Sequence, residues 1–335
     1  TGYARRRTAE PSTRCLRTGG PMRQTSVARL FEDNRQRLQL SHLCGGLEAR
    51  ISVTEERIWP ADLVGHLNLI HPDRLQVIGG AELAWARRHT REKVAHQFAE
   101  ILAATPPAII IADGCDIPTL LRKQCEATGV AMFSTPQPSA SVIDQLRLYL
   151  ARQLAEKVSL HGVFMDVLGL GVFITGDSGA GKSELAVELV TRGHGLVADD
   201  VVEFSRIAPT VLEGRCPELL RNFIEVRGLG ILNIRTIFGE TACRRKTRLK
   251  LIVHLQRRTP GVDDPPRLQL EQEFEDILGV PIRRVVVPVA AGRNIAVLLE
   301  AAVRSAILQL RGIDSTAEFI EKQQAALHQQ PSTPS

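Results

Sequence analysis

Short apolar runs alternate with longer, periodically apolar stretches along most of the chain. Residues 75–78, 108–112, 131–134, 170–175, 249–255 and 284–289 are short runs rich in Val, Ile and Leu, and read as buried strands. Residues 27–40, 82–102, 118–128, 142–160 and 295–310 read as helices. Residues 183–190 read as a further helix, with Leu185/Leu189 and Ala186/Val190 as i, i+4 pairs on one face and Gly193 as its stop. Gly79-Gly80, Asp113-Gly114 and 136–139 punctuate the series. Strands alternating with helices predict an α/β fold in each of two domains. The boundaries expected are an extension at 1–21, an N-terminal α/β domain at 22–150 with a linker helix to about 160, a second domain at 161–312, and a C-terminal helix and frayed tail at 313–335. No internal repeat is visible.

Between the strand at 170–175 and the helix at 183–190 lies Gly176-Asp177-Ser178-Gly179-Ala180-Gly181-Lys182-Ser183, which fits G-x-x-x-x-G-K-[ST]. Strand, glycine loop and helix are the context that this phosphate-binding loop requires. The glycines let backbone N–H groups converge on phosphate oxygens, and the helix start adds its dipole. Lys182 would reach the β- and γ-phosphates, and the Ser183 hydroxyl would sit on Mg²⁺.

Composition narrows the partners. The chain has 335 residues, 44% hydrophobic and 24% charged, as globular proteins do. No stretch approaches 18 apolar residues without a charge, so no membrane span is expected, and the arginine-rich start lacks the apolar core of a secretory signal. Five arginines against Glu10 give residues 1–21 a net +4 of the chain's +5. The near-neutral remainder argues against nucleic acid as a partner. The extension reads as disordered, with Met22 as an alternative start and a true basic tail as the other reading. Six scattered cysteines form no C-x-x-C and no zinc spacing, which points to a reducing cytosol.

More chemistry follows the loop. Residues 195–200 are a strand-like run that ends in Asp199-Asp200. A phosphate-transferring site needs a carboxylate near Mg²⁺ and another to take a hydroxyl proton, and adjacent acids could divide those tasks. Residues 224–233 gather Glu225 as a hard oxygen ligand, Arg227 as a planar fork for phosphate, and Gly228 and Gly230 for close backbone approach. By itself a surface loop has the same look. His161 alone reads as structural, and Arg267 and Arg293 as solvated charges.

Taken in order, these motifs resemble the HPr kinase/phosphorylase family. The resemblance rests on 161–167 (His161-Gly162-Val163-Phe164-Met165-Asp166-Val167), the loop 176–183 followed by Glu184, Arg192-Gly193-His194, Val197-Ala198-Asp199-Asp200 and 224–233, together with 68–77 upstream. It runs from about residue 27 to 312. It implies a serine kinase that uses ATP or pyrophosphate with Mg²⁺ on the phosphocarrier protein HPr, and a phosphorolysis by inorganic phosphate that gives pyrophosphate. It also implies a cytoplasmic homohexamer, and a kinase domain resembling the nucleotide-binding core of phosphoenolpyruvate carboxykinase.

By position, the resemblance makes Lys182 the phosphate-binding lysine and Ser183 a Mg²⁺ ligand. It makes Asp200, beside Asp199, the proton acceptor of phosphorylation and donor of the reverse step. Glu225 becomes the second Mg²⁺ ligand, His161 and Arg267 further active-site residues, and 224–233, with Asn233 at its end, a segment used in both directions. One loop departs from the pattern: Pro288-Val289-Ala290-Ala291-Gly292-Arg293 stands where P-V-R-P-G-R is common, and that loop is tied to dephosphorylation. Two readings stay open from the residues alone: a P-loop phosphotransferase for small molecules, and a non-catalytic nucleotide-dependent regulatory module.

Overall fold

The computed structural model describes residues 23–53, 59–257, 272–290, 292–314 and 317–322. The extension 1–21, the tail from 323, Arg267 and Ala291 lie outside these residues. The chain divides into two compact units, one ending at Glu156 and the other beginning at Lys157.

In chain order the first unit holds β1 (Gln24–Ser26), α1 (Val27–Asn34), β2 (Ser41–Cys44), β3 (Arg50–Ser52), β4 (Val64–His66), β5 (Leu75–Ile78), α2 (Gly80–Arg87), α3 (Arg91–Ala103), β6 (Ala108–Ile111), α4 (Thr119–Thr128), β7 (Ala131–Ser134) and α5 (Ser139–Gln153). Its sheet runs β2-β7-β6-β5-β4, parallel except for β2. Both faces are covered, so the inner strands β5, β6 and β7 are buried on both sides. Ala108 and Ile110 face the core made with α1 and α5, while Ile109 and Ile111 face α2, α3 and α4. Buried Gln76 organises the 68–77 motif: its Nε2 donates to the His71 and Arg74 carbonyls and its Oε1 accepts from Asn68 N–H.

Three predicted helices are corrected. The stretch 27–40 is helical only to Asn34, whose side-chain amide turns back onto the Leu30 carbonyl at 2.8 Å. The stretch 82–102 is two helices, because Thr90 caps a new start by accepting from Lys93 N–H. The linker helix expected to about 160 stops at Gln153. From Glu156 the burial alternates with period two, exposed Lys157 and Ser159 against buried Val158 and Leu160, and the segment is a strand.

The second unit holds β8 (Glu156–His161), β9 (Val163–Val167), β10 (Leu170–Gly176), α6 (Lys182–Thr191), β11 (Gly195–Ala198), β12 (Val201–Ala208), β13 (Val211–Arg215), β14 (Phe223–Val226), β15 (Gly230–Asn233), α7 (Ile234–Phe238), β16 (Lys246–Arg257), β17 (Glu273–Ile277), β18 (Val280–Val289) and α8 (Ile295–Leu310). A mixed nine-stranded sheet dominates it. β16 is its hub. β16 lies parallel to β10 on one side; on the other it pairs antiparallel with β13 through Lys246–Arg248 and parallel with β18 from Leu251 to Arg257. One face packs against α6 and α8 through Val172, Ile174, Val253 and Leu255. The other closes over Phe164, Phe173 and Phe204, which meet edge to face at 5.1–5.2 Å. Both units are mixed α/β, and the second is richer in strands than its hydrophobic pattern suggested.

Candidate active site

β10 and α6 set the loop 176–183 between them. Gly176 leaves the sheet so close to β16 that a Cβ there would sit 2.5 Å from the Leu255 carbonyl oxygen. Gly179 and Gly181 take left-handed φ of 74° and 87°, which side chains resist. The Ala180 N–H donates to the Asp177 carbonyl at 3.1 Å, closing the turn. The Lys182 ammonium donates to the Gly176 and Asp177 carbonyls, 2.9 Å each, and so lies across the loop mouth.

The two acids at the end of β11 part company. Asp199 is 6% exposed and fully engaged. Its Oδ1 accepts from Ser183 Oγ–H and its Oδ2 from Glu225 N–H, both at 3.0 Å. Burial pushes its carboxyl above the ordinary value, and these hydrogen bonds pull the other way. Asp200 takes a left-handed φ of 65°, and the following Val201 N–H donates back to the Asp199 carbonyl. That reversal aims the Asp200 side chain out of the core, where its Oδ1 stands 3.5 Å from His161 Nδ1. Strained backbone of this kind concentrates at functional sites.

A cavity of about 610 Å³ joins these parts. Its lining includes His161, Lys182, Ser183, Asp199, Asp200, Glu225, Arg227, Gly228 and Gly230. Glu225, Arg227 and Gly230 come from the β14–β15 hairpin, whose Ile224 and Val226 are buried in the core while Phe223, Leu229 and Ile231 stay exposed. Asn233 does not line the cavity; it caps α7 by accepting from Thr236 N–H. Arg293 does not line it either, and its N–H donates to the Ala290 carbonyl. Arg267 lies outside the described residues.

Two features escaped the sequence reading. His254 on β16 is the register partner of Thr175, and its Nδ1 lies 3.0 Å from Thr175 Oγ1 beneath the loop. Burial holds its imidazole below the ordinary value, hence neutral at pH 7. Arg257, at the end of the same strand, donates to the Gly179 carbonyl. A histidine interrupting an apolar strand was the one signal available for the first, and a strand-end arginine gives none.

The donor set suits a polyphosphate with a hard cation. Ser183, Asp199, Asp200 and Glu225 offer oxygens to one cavity, and Lys182 and Arg227 offer positive charge. Among the described residues no group of three or more His, Cys, Asp or Glu could hold a metal ion by itself. Magnesium fits such a place because it shares its shell with phosphate and water.

Comparison with known proteins decides the family. Residues 25–150 match the family model described as HPr Serine kinase N terminus, and residues 152–323 match HPr Serine kinase C-terminal domain. The chain belongs to the HPr serine kinase family. Among curated members of this HPr serine kinase family, the chain is 74% identical over 306 residues to the HPr kinase/phosphorylase of Azoarcus sp. (strain BH72), covering 91% of this chain and 98% of the relative. It is 70% identical over 310 residues to that of Aromatoleum aromaticum, covering 92% and 99%. A solved structure of the Hpr(Ser) kinase/phosphatase from Coxiella burnetii is 32% identical, with a TM-score of 0.43 over 48% of this chain and 97% of that one.

Proposed function

We propose that the chain phosphorylates a seryl hydroxyl of the phosphocarrier protein HPr with ATP or pyrophosphate, and removes that phosphate by phosphorolysis with inorganic phosphate, releasing pyrophosphate. The observation that carries this reading is the divided acid pair. Asp199 is engaged by Ser183 and Glu225, while Asp200 faces the cavity beside His161.

Mg²⁺ bound with the polyphosphate would neutralise its charge and order its oxygens, and Ser183 and Glu225 are the residues that would hold it. Lys182 would leave the Gly176 and Asp177 carbonyls for phosphate oxygens. Asp199 orients the Ser183 hydroxyl. Asp200 accepts the proton of the attacking seryl hydroxyl and returns it to the seryl oxygen when phosphate attacks phosphoserine. His161 steadies the Asp200 carboxylate from 3.5 Å. Arg227 binds phosphate oxygens through its planar fork. Arg267 and Arg293 are further active-site residues by their match to the family pattern, and 288–293 is the loop concerned with the reverse step.

The partner is HPr rather than nucleic acid, the assembly a homohexamer, and the compartment the cytoplasm. No described helix is long and apolar enough to cross a membrane. The test is transfer of labelled γ-phosphate to purified HPr, beside a panel of small hydroxyl compounds. Label on HPr serine supports the reading; label on a small molecule alone, or ATP bound without turnover, overturns it.

A further inference from the structure

β16 ends against the phosphate-binding loop. Leu255 pairs in register with Gly176, and two residues later the Arg257 guanidinium donates to the Gly179 carbonyl. From the β14–β15 turn, Arg227 reaches the same point: its Nη1 lies 3.6 Å from where a Cβ on Gly179 would be, and the Arg257 Nη2 lies 2.9 Å from it. Two guanidinium groups from separate elements thus converge on the apex of the loop. Neither forms an ion pair with a carboxylate among the described residues. Like charges held this close repel, and a bound polyphosphate relieves that repulsion.

Gly179 needs an external hold. Its left-handed φ of 74° is one of many conformations open to glycine, so the loop's shape is not fixed by its own backbone. The peptide unit is planar, so anchoring the Gly179 oxygen also fixes the direction of the Ala180 N–H. That N–H closes the turn onto Asp177, whose carbonyl also receives Lys182. One contact outside the loop therefore governs the turn and the lysine inside it. Arginine suits the task, since its planar fork can hold the carbonyl and still offer N–H groups to an anion. Arg257 also pairs in register with Val289, immediately before Ala290, where the related pattern often carries an arginine.

We propose that Arg257 is a positioning residue for the polyphosphate: it holds the loop apex through the Gly179 carbonyl and, with Arg227, preorganises the site for ATP or pyrophosphate. The inference rests on the phosphotransfer reading of this site. Preorganisation lowers the ordering cost of binding, so the effect falls on affinity and leaves the chemical step alone.

The test uses the full chain, a fluorescent ATP analogue with Mg²⁺, and the variants Arg257→Ala and Arg257→Lys. Arg257→Ala is expected to weaken analogue binding about tenfold, the scale of a lost charged hydrogen bond. Arg257→Lys, which keeps the charge but not the fork, restores only part of it. At saturating ATP, kcat on HPr stays within about twofold while the KM for ATP rises with the loss of affinity, and the thermal midpoint is unchanged. Wild-type affinity in Arg257→Ala, a fall in kcat with affinity intact, or a loss that tracks a lowered thermal midpoint would each overturn the proposal. Analogue binding needs no HPr, so a failed HPr assay would leave this result standing, and wild-type affinity in Arg257→Ala would leave the HPr reading standing.

Discussion

At the scale of residues, two adjacent aspartates are given opposite surroundings by one turn. Asp199 is drawn under Ser183 and the hairpin, and Asp200 is turned outward by its left-handed backbone. Removing the proposed proton acceptor should therefore spare binding and slow chemistry. Asp200→Asn is expected to slow phosphorylation and phosphorolysis together by about 10²–10⁴-fold while the affinity for an ATP analogue holds; paired rate and binding assays check this. Much of the site was legible here. The loop 176–183 and the acid pair announce themselves by spacing, because phosphate chemistry needs those types in that order. Arg257 and His254 did not. Their meaning depends on which strand lies beside β10, and register between distant strands leaves no mark in a single sequence.

At the scale of elements, the loop works because β10 and β16 press together behind it. Gly176→Ala would force a methyl against the Leu255 carbonyl 2.5 Å away. We expect a loss of about 1–3 kcal/mol in urea unfolding, and weaker nucleotide binding as the loop shifts. The far end of α6 is fastened to α8. His194 Nε2 lies 2.9 Å from Glu300 Oε1, with Arg192 and Arg304 at the same carboxylate. The His194 hydrogen bond, before the other contacts, holds the Glu300 carboxyl below its ordinary 4.5. A depressed carboxylate gives stability that is present above that value and lost as pH falls through the folded one. Glu300→Gln keeps an acceptor for His194 but loses the charge, and should cost about 1 kcal/mol at pH 7, with the gap to wild type closing as unfolding is followed below pH 4.5. The helix α8 was readable residue for residue from its amphipathic pattern, whereas α5 was read too long. Leu-rich spacing carried the helix reading past Gln153, and the change to a two-residue period occupies only five positions.

At the scale of the molecule, the fold class and the two-part organisation follow from alternating runs that any buried sheet requires. The count of strands in the second unit does not, because half-exposed strands such as β12, β13 and β17 lack continuous apolar runs. That unit also displays large apolar side chains, with Leu219 93% and Leu229 and Ile231 each 72% exposed. Six chains of 36.8 kDa predict about 221 kDa in light scattering; a stable monomer would contradict the hexamer. The proposed chemistry is a reversible transfer between polyphosphate and a seryl oxygen. Its most direct measurement is one reaction: purified chain, HPr, ATP and Mg²⁺, then excess inorganic phosphate with pyrophosphate followed in time. Phosphoserine on HPr is expected first, then its loss with stoichiometric pyrophosphate. Absence of phosphoserine would contradict it, and phosphoserine released without pyrophosphate would contradict its reverse half.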